Sequence, residues 1–142
     1  MLSRIISSRH SPHLLFLGYP DLLTDEASWP LQSVTWHDAP KRRNTGRVWA
    51  GHGRAHIKNY PMVETKGLFQ SLGCEVTVAD AIRRGNEDVV MDLNHPAPEN
   101  MCGRFDIIID PGTLEHCFNI AQAFDNIDRM LCVAVLSITR TR

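Results

Sequence analysis

The chain has 142 residues, 43% of them hydrophobic and 22% charged, the size and balance of one globular domain able to bury a core. A formal net charge of -1 provides no global attraction to nucleic acid or an anionic membrane, and no apolar run approaches the roughly 18 residues of a membrane span. Cys74, Cys102, Cys117 and Cys132 are widely spaced with no Cys-x-x-Cys pair, and three fall within or beside predicted elements, so buried reduced thiols and a cytoplasmic setting are expected.

Residues 1–12 read as a flexible lead-in. They lack acids and carry Arg4, Arg9 and several serines, so an organellar transit peptide is the alternative. Leu14-Leu15-Phe16-Leu17 predicts a first strand, stopped by Gly18-Tyr19-Pro20-Asp21; Gly18 would let a ligand approach the backbone there. Residues 24–60 predict an irregular insertion. Trp29-Pro30 and Ala39-Pro40 break regular structure, and Lys41-Arg42-Arg43, Arg47, Arg54 and Lys58 make the stretch basic. With His37, His52, His56, Trp36 and Trp49 it reads as a solvated excursion whose tryptophans pack on the domain edge; a phosphate or nucleic-acid contact is the alternative. His52 and His56 have helical spacing for a metal pair, but Gly51 and Gly53 oppose a helix.

Pro61 suits a first helical position, Met62, Leu68, Phe69 and Leu72 recur at helical spacing, and Gly73 terminates the helix. Glu75–Asp80 predicts the next strand and Asp88–Asn94 another, closed by His95-Pro96-Ala97-Pro98. Ile107-Ile108-Ile109 predicts a strand buried on both faces, stopped by Asp110-Pro111-Gly112. With Thr113 as N-cap, Leu114, Cys117, Phe118, Ala121, Phe124, Ile127 and Leu131 then mark one stripe of a helix running to Leu131. Three strands thus end in Asp80, Asp92 and Asp110. In open α/β sheets ligands bind at the carboxyl ends of the strands, and an acid there accepts hydrogen bonds from ribose hydroxyls.

This arrangement resembles the class I S-adenosylmethionine-dependent methyltransferases. The resemblance rests on Leu72-Gly73-Cys74-Glu75-Val76-Thr77-Val78-Ala79-Asp80, on Met91-Asp92-Leu93-Asn94, and on Phe105–Asp110 with Gly112-Thr113-Leu114-Glu115-His116. It covers about residues 60 to 131. It implies a three-layer α/β sandwich, a single Rossmann-like domain over 1–142, with a mainly parallel sheet of four or five strands in the order 3-2-1-4-5. S-adenosylmethionine is the implied cofactor: Asp80 at the ribose, Asp92 and Leu93 near adenine, Gly18 in the cofactor loop, Asp110 facing the transferred methyl group. His116 is the implied base, since an imidazole titrates close to neutrality.

The family's G-x-G-x-G loop is not intact here. Leu17-Gly18-Tyr19-Pro20-Asp21 stands in its place, and Gly51-His52-Gly53 is a rival position. After Leu131 the family's Gly-Gly turn, fifth strand and closing hairpin reduce to the apolar run Cys132–Ile138, so the similarity is to a truncated or divergent member. An uncovered edge at residues 132–138 predicts a homodimer. The methyl acceptor is not legible. A non-catalytic α/β interaction protein, or a truncated pseudoenzyme, is one alternative; an NAD-binding Rossmann domain is another.

Overall fold

A computed structural model describes residues 11–42, 45–51, 53, 61–83, 85 and 87–132. The expectations for 1–10, for Arg43, His52, Arg54, His56 and Lys58, and for an edge strand or dimer contact at 133–138 lie outside the described residues. In chain order the strands are β1 (His13–Leu17), β2 (Lys41–Arg42), β3 (Met62–Val63), β4 (Glu75–Asp80), β5 (Val89–Val90) and β6 (Ile107–Ile109). The helices are α1 (Gly46–Gly51), α2 (Thr65–Ser71) and α3 (Ile120–Met130), with single 3-10 turns at Glu99–Met101 and Leu114–His116. These elements form two compact units, Met1–Pro20 with Gly73–Arg142, and Asp21–Leu72.

The first unit is an α/β structure on a four-stranded sheet, β5-β4-β1-β6, with every pairing parallel. β1 is central because it can be buried on both faces: Leu14, Leu15, Phe16 and Leu17 are at most 1% exposed. It pairs His13 through Leu17 with Glu75 through Ala79 on one side, and Leu14 through Phe16 with Ile107 through Ile109 on the other. Leu15, Leu17, Ala79, Met91, Leu93, Phe105, Ala123, Ile127 and Met130 share one core cluster, which places α3 over one face. β5 is shorter than its sequence predicts. Asp92 turns its side chain back onto the Asn94 amide at 2.9 Å, an Asx turn that ends the strand.

The helix expected from Leu114 is broken in two. Thr113 does not cap it, because its hydroxyl donates to the Leu17 carbonyl at 2.6 Å. After the 3-10 turn, Cys117 adopts an extended backbone, and Asn119 caps α3 by accepting from the Gln122 amide at 3.2 Å. The buried face is Ala123, Asn126, Ile127 and Met130. Phe118, expected inside, is 100% exposed, and Phe124 and Ala121 are exposed too. Two stripes fit the helical period here, and the buried one contains a polar residue, Asn126.

The unit Asp21–Leu72 has its own core of Trp36, Ala39, Val63 and Leu68, packed by Leu22, Trp29, Leu31, Val34 and Leu72. β2 and β3 pair antiparallel. Met62 and Val63 are therefore strand, and the helix expected from Pro61 starts at Thr65, where the Glu64 carboxylate accepts from the Gly67 amide at 2.6 Å. Trp29 and Trp36 meet edge to face at 5.3 Å within this unit. Lys41 lies over the Trp36 ring at 3.9 Å and donates to the Ala39 carbonyl; burial pulls its amine down from the usual 10.5. Arg42 pairs with Asp21. These two cations are thus engaged within the unit's own structure.

His13 makes the sheet sensitive to acid. Its side chain is 14% exposed, its ring meets Phe105 edge-on at 4.7 Å, and Nε2 lies 2.9 Å from the Thr77 hydroxyl. Burial holds the imidazole below its usual 6.5, partly opposed by Glu75. The unfolded chain therefore takes up this proton at higher pH than the folded one. The contribution is complete above 6.5 and is lost as pH falls from there toward the folded value. Urea midpoints should fall between about pH 7.5 and 5.5 in the parent and fall less in His13→Gln; equal slopes would show that His13 is not the titrating group.

Candidate functional site

A cleft of about 100 Å³ opens where the carboxyl ends of β1 and β4 meet the turns that follow β5 and β6. Leu17 and Ala79 come from adjacent strand ends, Asp80 and Ala81 from the end of β4, Met91 through Asn94 from the turn after β5, and Thr113, His116 and Cys117 from the turn after β6. Sites that enclose a whole drug-sized ligand are larger, about 300–1,000 Å³. This one takes part of such a ligand and leaves the remainder on the surface.

Asp80 ends β4, and Asp92 follows two residues after the end of β5, the parallel neighbour of β4. Asp80 Oδ1 accepts from the Ile82 amide at 3.1 Å. Asp92 Oδ1 accepts from the Asn94 amide at 2.9 Å and from its side-chain amide at 2.7 Å; both bonds favour the carboxylate and hold Asp92 below its usual 3.8. Leu93, 4% exposed, adds an apolar side chain to the lining. His116 is exposed at the mouth, Nε2 3.7 Å from Glu115 Oε1. Burial, with the Asp92 and Asp110 carboxylates nearby, pushes the Cys117 thiol up, which disfavours the thiolate.

Two of the residues expected here stand behind the cleft. Asp110 spends its carboxylate on its own turn, accepting from the amides of Gly112 at 3.0 Å and Thr113 at 2.6 Å, and does not line the cleft. Gly18 is also outside the lining. Its φ is +80°, its amide donates to the Ala79 carbonyl at 2.7 Å, and a Cβ would sit 2.9 Å from the Thr113 hydroxyl. A glycine is needed so that Thr113 can reach across the end of β1. Asp110 and Gly18 thus fix Thr113 and the turn that brings His116 to the rim. Gly51 and Gly53, the rival loop, belong to the other unit.

Asn94, Thr113 and Cys117 line the cleft without having been singled out from the sequence as site residues. The signal for Asn94 was its spacing from Asp92, which is that of an Asx turn. Thr113 and Cys117 were hidden inside an expected regular helix. Among the described residues no group of three His, Cys, Asp or Glu side chains is placed to hold a metal ion, and no helix is long and apolar enough to cross a membrane. Two carboxylates beside apolar walls suit a neutral or cationic ligand that has vicinal hydroxyls and a flat apolar portion. No family model, curated protein or solved structure matches the chain.

Proposed function

We propose that the chain is a methyltransferase-like Rossmann domain of the class I type that binds S-adenosylmethionine or S-adenosylhomocysteine, and that it passes the methyl group to an acceptor still to be identified. One observation carries the reading: Asp80, at the end of β4, and Asp92, in the turn after the neighbouring parallel strand β5, line one cleft at the carboxyl edge of the sheet. Asp80 accepts from the ribose hydroxyls, and Asp92 with Leu93 holds the adenine end. Gly18 and Asp110 act by shaping the Thr113 turn. Bound S-adenosylmethionine would supply an activated methyl group; the chain supplies position and, through His116, a base for the acceptor. The four cysteines are free, which fits a reducing compartment such as the cytoplasm.

Calorimetric titration with S-adenosylmethionine, S-adenosylhomocysteine and NAD in parallel tests the reading. Saturable binding of the first two is expected; binding of NAD alone would replace it with a dinucleotide site, and no binding would leave a non-catalytic α/β protein. Where a methyl acceptor is found, His116→Ala should lower turnover several-fold with cofactor affinity unchanged, since a base acts on the acceptor and not on the adenosyl group. Turnover within about twofold of the parent would remove that role.

A further inference from the structure

Asn126 lies on the core face of α3 and is 0% exposed. A buried amide is costly unless all its donors and acceptors are met. Here they are: Nδ2 donates to the Leu93 carbonyl at 3.0 Å and the His95 carbonyl at 2.8 Å, while Oδ1 accepts from the Ala97 amide at 2.8 Å and from Gln122 Nε2 at 3.1 Å. Three of the four partners are backbone groups of one segment, Leu93–Ala97. That segment has no strand or helix of its own, and its Pro96 carries no N–H. The start of α3 adds a second tie, the Asn119 amide donating to Asn94 Oδ1 at 2.8 Å. The same stretch brings Leu93 and Asn94 to the cleft, while Asn126 itself does not line it.

We infer that Asn126 is a positioning residue: its side-chain amide acts as a template that sets the path of Leu93–Ala97 and so places the Asp92–Asn94 wall of the cleft. The inference rests on the proposed adenosyl site for its ligand but not for its geometry. A leucine would fill the same core volume without fixing any carbonyl. The amide instead specifies one loop conformation, because moving the loop leaves buried groups on both sides without partners.

The test uses Asn126→Asp, nearly isosteric, which retains the acceptor for Ala97 but sets an ionised oxygen against the Leu93 and His95 carbonyls. Three quantities are read on the full chain: S-adenosylhomocysteine affinity, amide hydrogen exchange at Ala97 without ligand, and the pH profile of the affinity. The expected result is binding at least about tenfold weaker near neutral pH, faster exchange at Ala97, and partial recovery in mild acid, where a protonated carboxyl regains one donor; the parent should show no such recovery. Ile127→Ala, which opens the same core beside the loop without touching its carbonyls, should leave affinity unchanged at a temperature where it is folded. Unchanged affinity and Ala97 exchange in folded Asn126→Asp, or equal weakening by Ile127→Ala, would overturn the inference. If Asn126→Asp does not fold, Gln122→Ala removes the outer bond to Oδ1, along with a surface bond to Asp125 at 3.4 Å, and is read in the same way: faster Ala97 exchange supports the template, unchanged exchange overturns it. Should the parent bind no adenosyl compound, the proposed function fails separately, and exchange at Ala97 alone decides.

Discussion

Asp80→Ala should weaken S-adenosylhomocysteine binding by roughly 10- to 150-fold while leaving the fold intact. A hydrogen bond to a charged group contributes about 1.5–3 kcal/mol, and every 1.4 kcal/mol is about tenfold in affinity. The carboxylate stands at the end of β4 and is only partly buried, with one amide, that of Ile82, on Oδ1. Among the described residues, replacing it removes only that local bond, so the loss falls on the ligand. Calorimetry on parent and variant checks this, with circular dichroism confirming structure. Affinity within about twofold of the parent would take the ribose role away from Asp80.

The largest stability effect is expected at Phe105, where Phe105→Ala should cost about 3–5 kcal/mol. Phe105 is 0% exposed and belongs to the cluster that joins β1, the loop after β5 and α3. Its ring supports His13. Its backbone accepts from the Cys132 amide at 3.0 Å and donates to the Met130 carbonyl at 3.1 Å, tying the end of α3 to the segment just ahead of β6. Truncation leaves a cavity at the meeting point of these elements, in a chain whose whole stability is expected to be about 5–15 kcal/mol. Urea denaturation followed by far-ultraviolet circular dichroism reads it, since all three tryptophans lie in the other compact unit. A loss under about 1 kcal/mol would mean that the site collapses freely around the smaller side chain.

What was legible in the sequence followed from local chemistry. The run Leu14–Leu17 and the three isoleucines marked two of the strands through apolar or β-branched side chains, and Gly73, with φ +84°, marked the end of α2. Asp80 and Asp92 were legible as strand-end acids, and they do share a cleft. The remainder depends on partners far away in the chain. Thr113 fails as a cap because the Leu17 carbonyl, 96 positions earlier, takes its hydroxyl. Asn126 belongs to the core only because a loop some thirty positions back in sequence offers it two carbonyls and an amide, so apolar spacing alone points to the wrong face of α3. Asp110 reads like Asp80 and Asp92 until the turn beyond it folds. Yet Asp-Pro-Gly-Thr was itself a sign that this carboxylate would be taken by the amides two and three residues on.

The pairing of β1 with β4 has a consequence for how the chain reaches this structure. His13 meets Thr77 across 64 positions, and between the two strands lies the whole of the compact unit Asp21–Leu72. Closing a flexible loop of that length costs about 4 kcal/mol of chain entropy before any strand contact repays it. If the intervening unit condenses first around Trp36 and Leu68, the loop left to close is far shorter, and the sheet nucleates on an already folded spacer. During synthesis the order is forced: β1 leaves the ribosome long before β4, and its four consecutive core residues must wait in solvent for a partner. That interval, and not the finished sheet, is when this chain is most exposed to aggregation.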